Sequence, residues 1–290
     1  MKKIFIVGSI NTDFVISAPY MPVGGETLAG GGFFTARGGK GANQAVAARR
    51  LGGVVKMCGC VGDDLFGKET LAAFAQEGID ASCIRTVSGV PTGTAVIVVT
   101  NGENRIILDT GANGCLTKED IDGFLQTAKA GDLYLTQLEN PIDVIGYGLQ
   151  KAKEKGMLIV LNPAPANAEI MPYLGYCDLI TPNETEMQIL GGTDKILSDT
   201  NAKLIVTLGD KGYKIVTKDC ERQYPCMQVT AVDTTAAGDT LCGGLVAGLA
   251  SGHTLEEAVA FGNKAASIAC TKKGAQPSIP TDQEVKNYKA

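Results

Sequence analysis

The sequence carries one histidine, no CxxC pair among nine cysteines, no surplus of basic residues, and no apolar run long enough to cross a membrane. Each absence removes a class of protein. The histidine, His253, follows Gly252 in a turn between two helical patterns and reads as a solvated loop residue, so any chemistry here must run without imidazole. The 26 Lys and Arg are outnumbered by 31 Asp and Glu, and a net charge of -5 argues against a nucleic-acid backbone as ligand. The opening "MKKIFIVGSINTDF" stops being apolar at Gly8, too soon for a signal segment or a span, which sets a cytoplasmic expectation. The scattered cysteines, including "CGC" at 58 to 60 inside a strand-like run, are expected to be reduced and buried.

Glycine, by contrast, is abundant: 37 in 290 residues, roughly twice the ~7% of average usage. Loops rich in it approach ligands closely, which favours a small-molecule cradle. Short β-branched runs such as "KIFIVGS", "VVKMCGCVG", "DLYLTQL", "MLIVLN" and "KLIVTLG" alternate with helical periods such as "GANQAVAARRLG" and "PIDVIGYGLQKAKEKG". That rhythm predicts an α/β fold, a doubly wound, mostly parallel sheet flanked by helices, in one domain over 1–290. Residues 13–36 and 92–109 break it, reading as strands and turns without helices, the second as a hairpin around "NGEN". They predict a small antiparallel β lid over the carboxyl ends of the main strands, where open α/β sheets bind ligands.

Two nucleotide signatures fail. "GDDLFGKE" at 62–69 comes close to a phosphate loop but ends in Glu69 and puts Asp63 and Asp64 where phosphates would lie, so it reads as a helix start with acidic first-turn residues. "GSINTD" after the first strand lacks GxGxxG. Other motifs are more open. "GGKGANQA" at 38–45 is either a tight loop into a helix beginning near Ala42 or a cradle in which Gly38, Gly39 and Gly41 expose amides and Asn43 projects from the first turn. With Asn11 and Asp13 on the same sheet edge, it would suit a polyol. "TPNETE" is explained by a capping box of Asn183 and Glu186, and "TLGDKG" by a hairpin turn. In "VDTTAAGDTLCGG" the small residues Ala236, Ala237 and Gly238 would leave the amides of 236–239 bare at a helix N-terminus, an anion hole, with Asp239 beside it. Asp239 could instead be only an N-cap. Gly243, Gly244 and Gly248 in the same helix, each about 0.8 to 1 kcal/mol worse than Ala, imply close approach of something to its backbone.

Together, "GSINTD", "GGKGANQAVAA", "QLE", "NPAPA", "TPNETE", "TLGDKG", "VDTTAAGDT" and "KKGAQPS" resemble the ribokinase-type (PfkB) carbohydrate kinases over the whole chain. The resemblance implies MgATP-dependent phosphorylation of a sugar, D-ribose at O5 foremost, with deoxyribose, fructose or a nucleoside as alternative substrates, or a non-catalytic sugar- or nucleotide-binding regulator. It implies that Asn11, Asp13, Gly39, Lys40, Asn43 and Glu139 hold the sugar and that Asp239 is the base, its ionised form favoured by the helix end. It further implies that Asn183, the loop Thr207, Leu208, Gly209, Asp210, Lys211 and Gly212, and Gly238 and Asn263 meet ATP, with Glu186 placing Mg²⁺ through water. Oxygens around Asp233, Thr235, Ala269, Lys272, Gly274 and Ser278 would hold K⁺, and the lid would pair in a homodimer. One departure stands out: only about eleven residues separate "TPNETEMQILGG" from "KLIVTLG", where the family has a fuller helix.

Overall fold

A computed structural model describes residues 2–101 and 103–288. The chain opens with strand β1 (Lys3–Val7), leaves the main sheet for β2 (Asn11–Ser17) and β3 (Gly31–Gly38), and enters helix α1 (Lys40–Arg50). It continues through β4 (Val54–Gly62), α2 (Leu65–Glu77) and β5 (Asp80–Val87), then the hairpin β6 (Gly93–Thr100) and β7 (Glu103–Asp109). Helix α3 (Lys118–Leu125), β8 (Leu133–Thr136), α4 (Ile142–Glu154), β9 (Leu158–Leu161), β10 (Leu179–Ile180), α5 (Glu184–Ile189), α6 (Thr193–Asp199) and β11 (Lys203–Thr207) follow. Strands β12 (Tyr213–Val216) and β13 (Glu221–Tyr224) and helices α7 (Ala237–Ala250), α8 (Leu255–Ala269) and α9 (Asp282–Asn287) complete it.

Nine strands form the main sheet in the order β13-β12-β11-β10-β9-β8-β1-β4-β5, parallel from β11 to β5 and antiparallel only at the β11-β12-β13 edge. Alternation along β1 divides the core. Ile4 and Ile6 pack with Ala45 and Val46 of α1 and Leu245 of α7, whereas Phe5 and Val7 pack with Phe124 of α3 and Leu149 of α4. The order reverses between β1 and β8, so the crevice at their carboxyl ends is the topological switch point where such sheets bind ligands.

The lid is a four-stranded sheet, β3-β2-β6-β7. The expected hairpin of 92–109 is present, with Gly102 outside the described residues. Two details differ from the sequence reading. The central pair β2-β6 is parallel, because the two lid excursions leave the main sheet in the same direction. Residues 18–30 contribute no strand, and Asn11 and Asp13 lie within lid strand β2 itself.

The intrahelical glycines are explained by packing. A Cβ on Gly243 would lie 2.5 Å from Ala47 Cβ and 2.7 Å from Ala48 N on α1, and one on Gly244 would lie 2.6 Å from Gly262 Cα on α8. What approaches the α7 backbone is therefore two neighbouring helices. The cysteines are all free, but only Cys58, Cys60, Cys177 and Cys242 are buried, and Cys220 is exposed. Among the described residues no helix is long and apolar enough to cross a membrane.

Candidate active site

The carboxyl end of β1, the first turn of α1, the end of β8 and the start of α7 converge under the lid. Helix α1 begins at Lys40, two residues earlier than expected, with Gly39 at φ 87° as its cap. The glycines at its start serve the chain: a Cβ on Gly39 would lie 2.7 Å from Asn11 N, and one on Gly41, inside the first turn, 2.5 Å from the Gly8 carbonyl carbon. Their small size lets β2 and α1 cross at the crevice, which brings the polar side chains together.

Asp239 is the third residue of α7 and is buried, so it is not the N-cap; Ala236 holds that place at φ 60° without a side-chain cap bond. Its Oδ2 accepts from Asn43 Nδ2 at 2.9 Å and its Oδ1 from Gln44 Nε2 at 3.0 Å. Asn43 Oδ1 is left buried without a partner. Asn11 is oriented in the opposite sense, because Asn113 Nδ2 donates to its Oδ1 at 2.7 Å and leaves the Asn11 amide as donor. Glu139 Oε2 accepts from the Lys40 N–H at 3.2 Å and from the Ser9 hydroxyl, tying β8 to β1 across the switch point.

Three carboxylates crowd this volume. Burial first, and then the charges of Glu139 and Asp239, raise the Asp13 carboxyl to about 6. Burial works to lower the Lys40 ammonium, but Asp239, Glu139 and Glu186 outweigh it and raise it. Lys40 is thus the cation that balances the acidic cluster.

On the other side of Asp239 runs a cleft of about 240 Å³ lined by Lys40, Asn183, Glu186, Thr207, Thr234, Ala236, Ala237, Gly238 and Asp239. Of the four amides expected to be bare, Ala237 N–H donates to Thr234 O at 3.2 Å, while those of Ala236, Gly238 and Asp239 meet no acceptor among the described residues. A Cβ on Gly238 would touch nothing within 4 Å. Asn183 and Glu186 form the capping box of α5, and burial raises the Glu186 carboxyl. The cleft continues into a cavity of about 260 Å³ with Met227, Val229, Leu241 and Ala266 as apolar walls and Thr207, Gly209, Asp210, Gly212, Gly238 and Asn263 around them. Leu208 and Lys211 belong to the same β11-β12 turn without lining either space.

Asp64 is the N-cap of α2, accepting from Gly67 N–H at 2.8 Å, with no acidic residue in the first turn beyond it. The loops expected to hold a monovalent cation are joined: Asp233 accepts from the Thr235 N–H and from the Gly274 N–H, each at 2.9 Å, and Asp233 N–H donates to Cys270 O. Ala269 O accepts from Lys272 N–H in the turn that follows α8, and the Ser278 hydroxyl donates to Ala275 O. Sequence reasoning missed Ser9, Asn113, Gln137, Asn162 and Gln44. Only Gln44 carried a signal, as a second amide beside Asn43 in a helix start otherwise small and apolar.

A doubly wound sheet with a β lid, a cluster of polar side chains and an anion-ready helix end meeting at one carboxylate are the features of a small-molecule phosphotransferase. The pfkB family carbohydrate kinase model matches residues 1–282. The chain belongs to that family, whose members transfer a phosphoryl group to an alcohol. It is 44% identical to the ribokinase of Haemophilus influenzae over 99% of this chain and 98% of that protein. It is 36% identical to the deoxyribokinase of Salmonella typhimurium over 98% of each. The structure of Arabidopsis thaliana ribokinase complexed with ribose and ATP superposes with a TM-score of 0.87 at 29% identity, covering 98% of this chain and 97% of that one.

Proposed function

We propose that the protein transfers the γ-phosphoryl group of ATP to O5 of D-ribose. The observation that carries this reading is the position of Asp239, which contacts the amides of the polar pocket and lines the cleft beside the unpartnered N–H groups of α7. Asn11 as donor, Asn43 Oδ1 and Asp13 as acceptors, and Glu139 and Lys40 beside them form a set suited to several hydroxyls. Asp239 orients the primary hydroxyl and takes its proton as the new P–O bond forms. The amides of Gly238 and Asp239, at the positive end of α7, face the charge that develops on the transferring group. The apolar cavity takes the base, with Asn263 and the 207–212 turn around it.

Magnesium fits the donor set. Such an ion keeps several waters and binds through one or two carboxylates and substrate phosphates, and the Glu186 carboxyl lines the cleft beside the α7 amides. Glu186 would hold it through water, and when bound it neutralises phosphate charge. Potassium would lie between the Asp233 and Gly274 loops, which the Asp233 carboxylate joins, and there it would fix the backbone leading to Ala236. Activity in alkali-metal-free buffer should then rise more with KCl than with NaCl at equal ionic strength, and equal responses would remove the cation from the account. The lid leaves Ile106, Ile107 and Leu108 of β7 at least half exposed, with Phe33 at 62%. An apolar area of that kind on a thin sheet supports a homodimer through the lids.

An ADP-release assay over D-ribose, 2-deoxy-D-ribose, D-fructose and adenosine tests the substrate. D-Ribose should give the highest kcat/KM, and a higher value for another acceptor would replace it.

A further inference from the structure

Behind Asp239 lies a chain of three buried amides, from α1 and from the ends of β8 and β9. Gln44, the fully buried fifth residue of α1, donates through Nε2 both to Asp239 Oδ1 and to Asn162 Oδ1, each at 3.0 Å. Its Oε1 accepts from Gln137 Nε2, just past β8, at 2.6 Å. Asn162, just past β9, has its own orientation set because its Nδ2 donates to Thr181 O at 2.9 Å. An amide side chain can ordinarily turn over, exchanging donor for acceptor. Here the exchange would set the Gln44 NH₂ against the Gln137 NH₂, and the Gln44 oxygen against Asn162 Oδ1 and the Asp239 carboxylate. Gly8 contributes as well, since a Cβ there would collide with Gln137 Oε1.

We infer that Gln44 is the positioning residue for the proposed base: it holds Asp239 Oδ1 and fixes the carboxylate plane, so that Oδ2 is the oxygen that accepts the proton. This rests on the reading of Asp239 as base. The two oxygens are unequal because their partners are. Gln44 has both N–H groups and its oxygen committed inside the protein, whereas Asn43 keeps an unpartnered Oδ1 and stands in the polar pocket. On sugar binding Asn43 can turn to the ligand and release Oδ2, while Gln44 has nothing else to bond. A donor held on Oδ1 also favours the ionised carboxylate against the acidic groups around it, Asp13 of β2 and Glu186 of α5, beside the Cys242 thiol of α7, which burial keeps protonated. Among the described residues Lys40 of α1 is the cation that faces them.

The test uses Gln44→Met, which keeps the volume and removes the hydrogen bonds, and Gln44→Glu, which keeps the acceptor for Gln137 but turns a second oxygen toward Asp239. Gln137→Met removes only the bond that orients Gln44. In Gln44→Met kcat should fall by about 10- to 100-fold, the loss of one hydrogen bond to a charged group, with KM for sugar and ATP unchanged. The acid limb of the kcat profile should move to higher pH, further in Gln44→Glu, and Gln137→Met should lie between wild type and Gln44→Met. Independently of any substrate, ¹³C NMR of aspartate-labelled protein, with the Asp239 signal assigned by its loss in Asp239→Asn, should show the pH response of that carboxyl displaced in Gln44→Met relative to wild type, as loss of a donor to the carboxylate requires. An unmoved signal and an unmoved acid limb in folded Gln44→Met would overturn the inference, as would an effect confined to KM. If Gln44→Met does not fold, Gln137→Met decides by the same two readouts. Failure of the wild type to phosphorylate any sugar would remove the proposed function alone, because the NMR titration still reports on Gln44.

Discussion

The two halves of the candidate site are built by different means. On the proposed sugar side several side chains take their direction from a residue of another element: Asn113 orients Asn11, Asp239 holds Asn43 in the ligand-free protein, and Ser9 holds Glu139. On the proposed nucleotide side main-chain amides at the start of α7 stand beside an apolar wall, with polar side chains such as Asn263 and Asp210 around it. A pocket of pre-set donors and acceptors discriminates, because a substrate with one hydroxyl too few leaves a buried group unpaired. A helix end and an apolar slot bind by charge and shape and tolerate small changes. Substitutions on the sugar side should therefore alter chemistry and acceptor choice, and those on the nucleotide side affinity for ATP.

Asp239 belongs to both halves, and its loss should have the largest effect. Asp239→Asn keeps the size and one acceptor oxygen but cannot take a proton, so kcat should fall by about 10² to 10⁴-fold. Both KM values should change by no more than a few-fold, because the amide can still fill the space between Asn43 and Gln44. Steady-state kinetics on the folded variant measure this; a near-normal kcat would move the proton to another acceptor and dissolve the distinction between the two halves.

Sequence pattern made the sheet legible because parallel strands buried on both faces, such as "KIFIV" and "KLIVT", are short apolar runs bounded by turns. The lid was legible as a break in that rhythm, and the Asn183 and Glu186 capping box could be read from spacing alone. The parallel β2-β6 pairing could not, since strand direction in the lid depends on where two distant excursions leave the main sheet. Nor could the reason for Gly243 and Gly244, because α1 and α8 meet α7 only in the folded chain. Of the site, Asp239 and the small residues before it announced themselves, while Gln137 and Asn162 did not: single amides after a strand look like any loop residue until Gln44 joins them.

A second contrast lies in pH. Asp13 is raised to about 6 by burial and by its carboxylate neighbours, whereas on the proposed nucleotide side the α7 amides do not titrate and Glu186, raised by burial, is the carboxyl that does. Sugar binding that needs Asp13 as an acceptor should weaken as it protonates, so KM for the sugar should rise about tenfold near pH 5, with KM for ATP changing less. Asp13→Asn should have a high but level sugar KM over the same range. The same group acts on stability in the opposite sense. The folded state holds the proton more tightly than the unfolded chain, whose value is near 3.8, so the stabilisation is full below that pH and is lost as pH rises through about 6. The substrate-free protein should accordingly lose thermal stability between pH 5 and 7 more steeply than Asp13→Asn.

The smallest expected effect is on the nucleotide side, at Gly238. A Cβ there meets no protein atom within 4 Å, and the residue lies in the first turn of α7. Ala is the better helix former by about 0.8 to 1 kcal/mol, so Gly238→Ala should fold and melt no lower than wild type. The methyl group would stand in the mouth of the cleft between the unpartnered amides and the space a phosphate would occupy. Lengthening or losing one such charge-assisted bond should raise KM for ATP about three- to tenfold, leaving KM for the sugar unchanged because Asn11, Asp13 and Glu139 stand on other elements. Measuring both constants against the thermal midpoint separates the outcomes. A raised KM for ATP in a protein of undiminished stability supports a phosphate at the α7 terminus, whereas an unchanged value would place the phosphates elsewhere in the cleft and leave those amides to water.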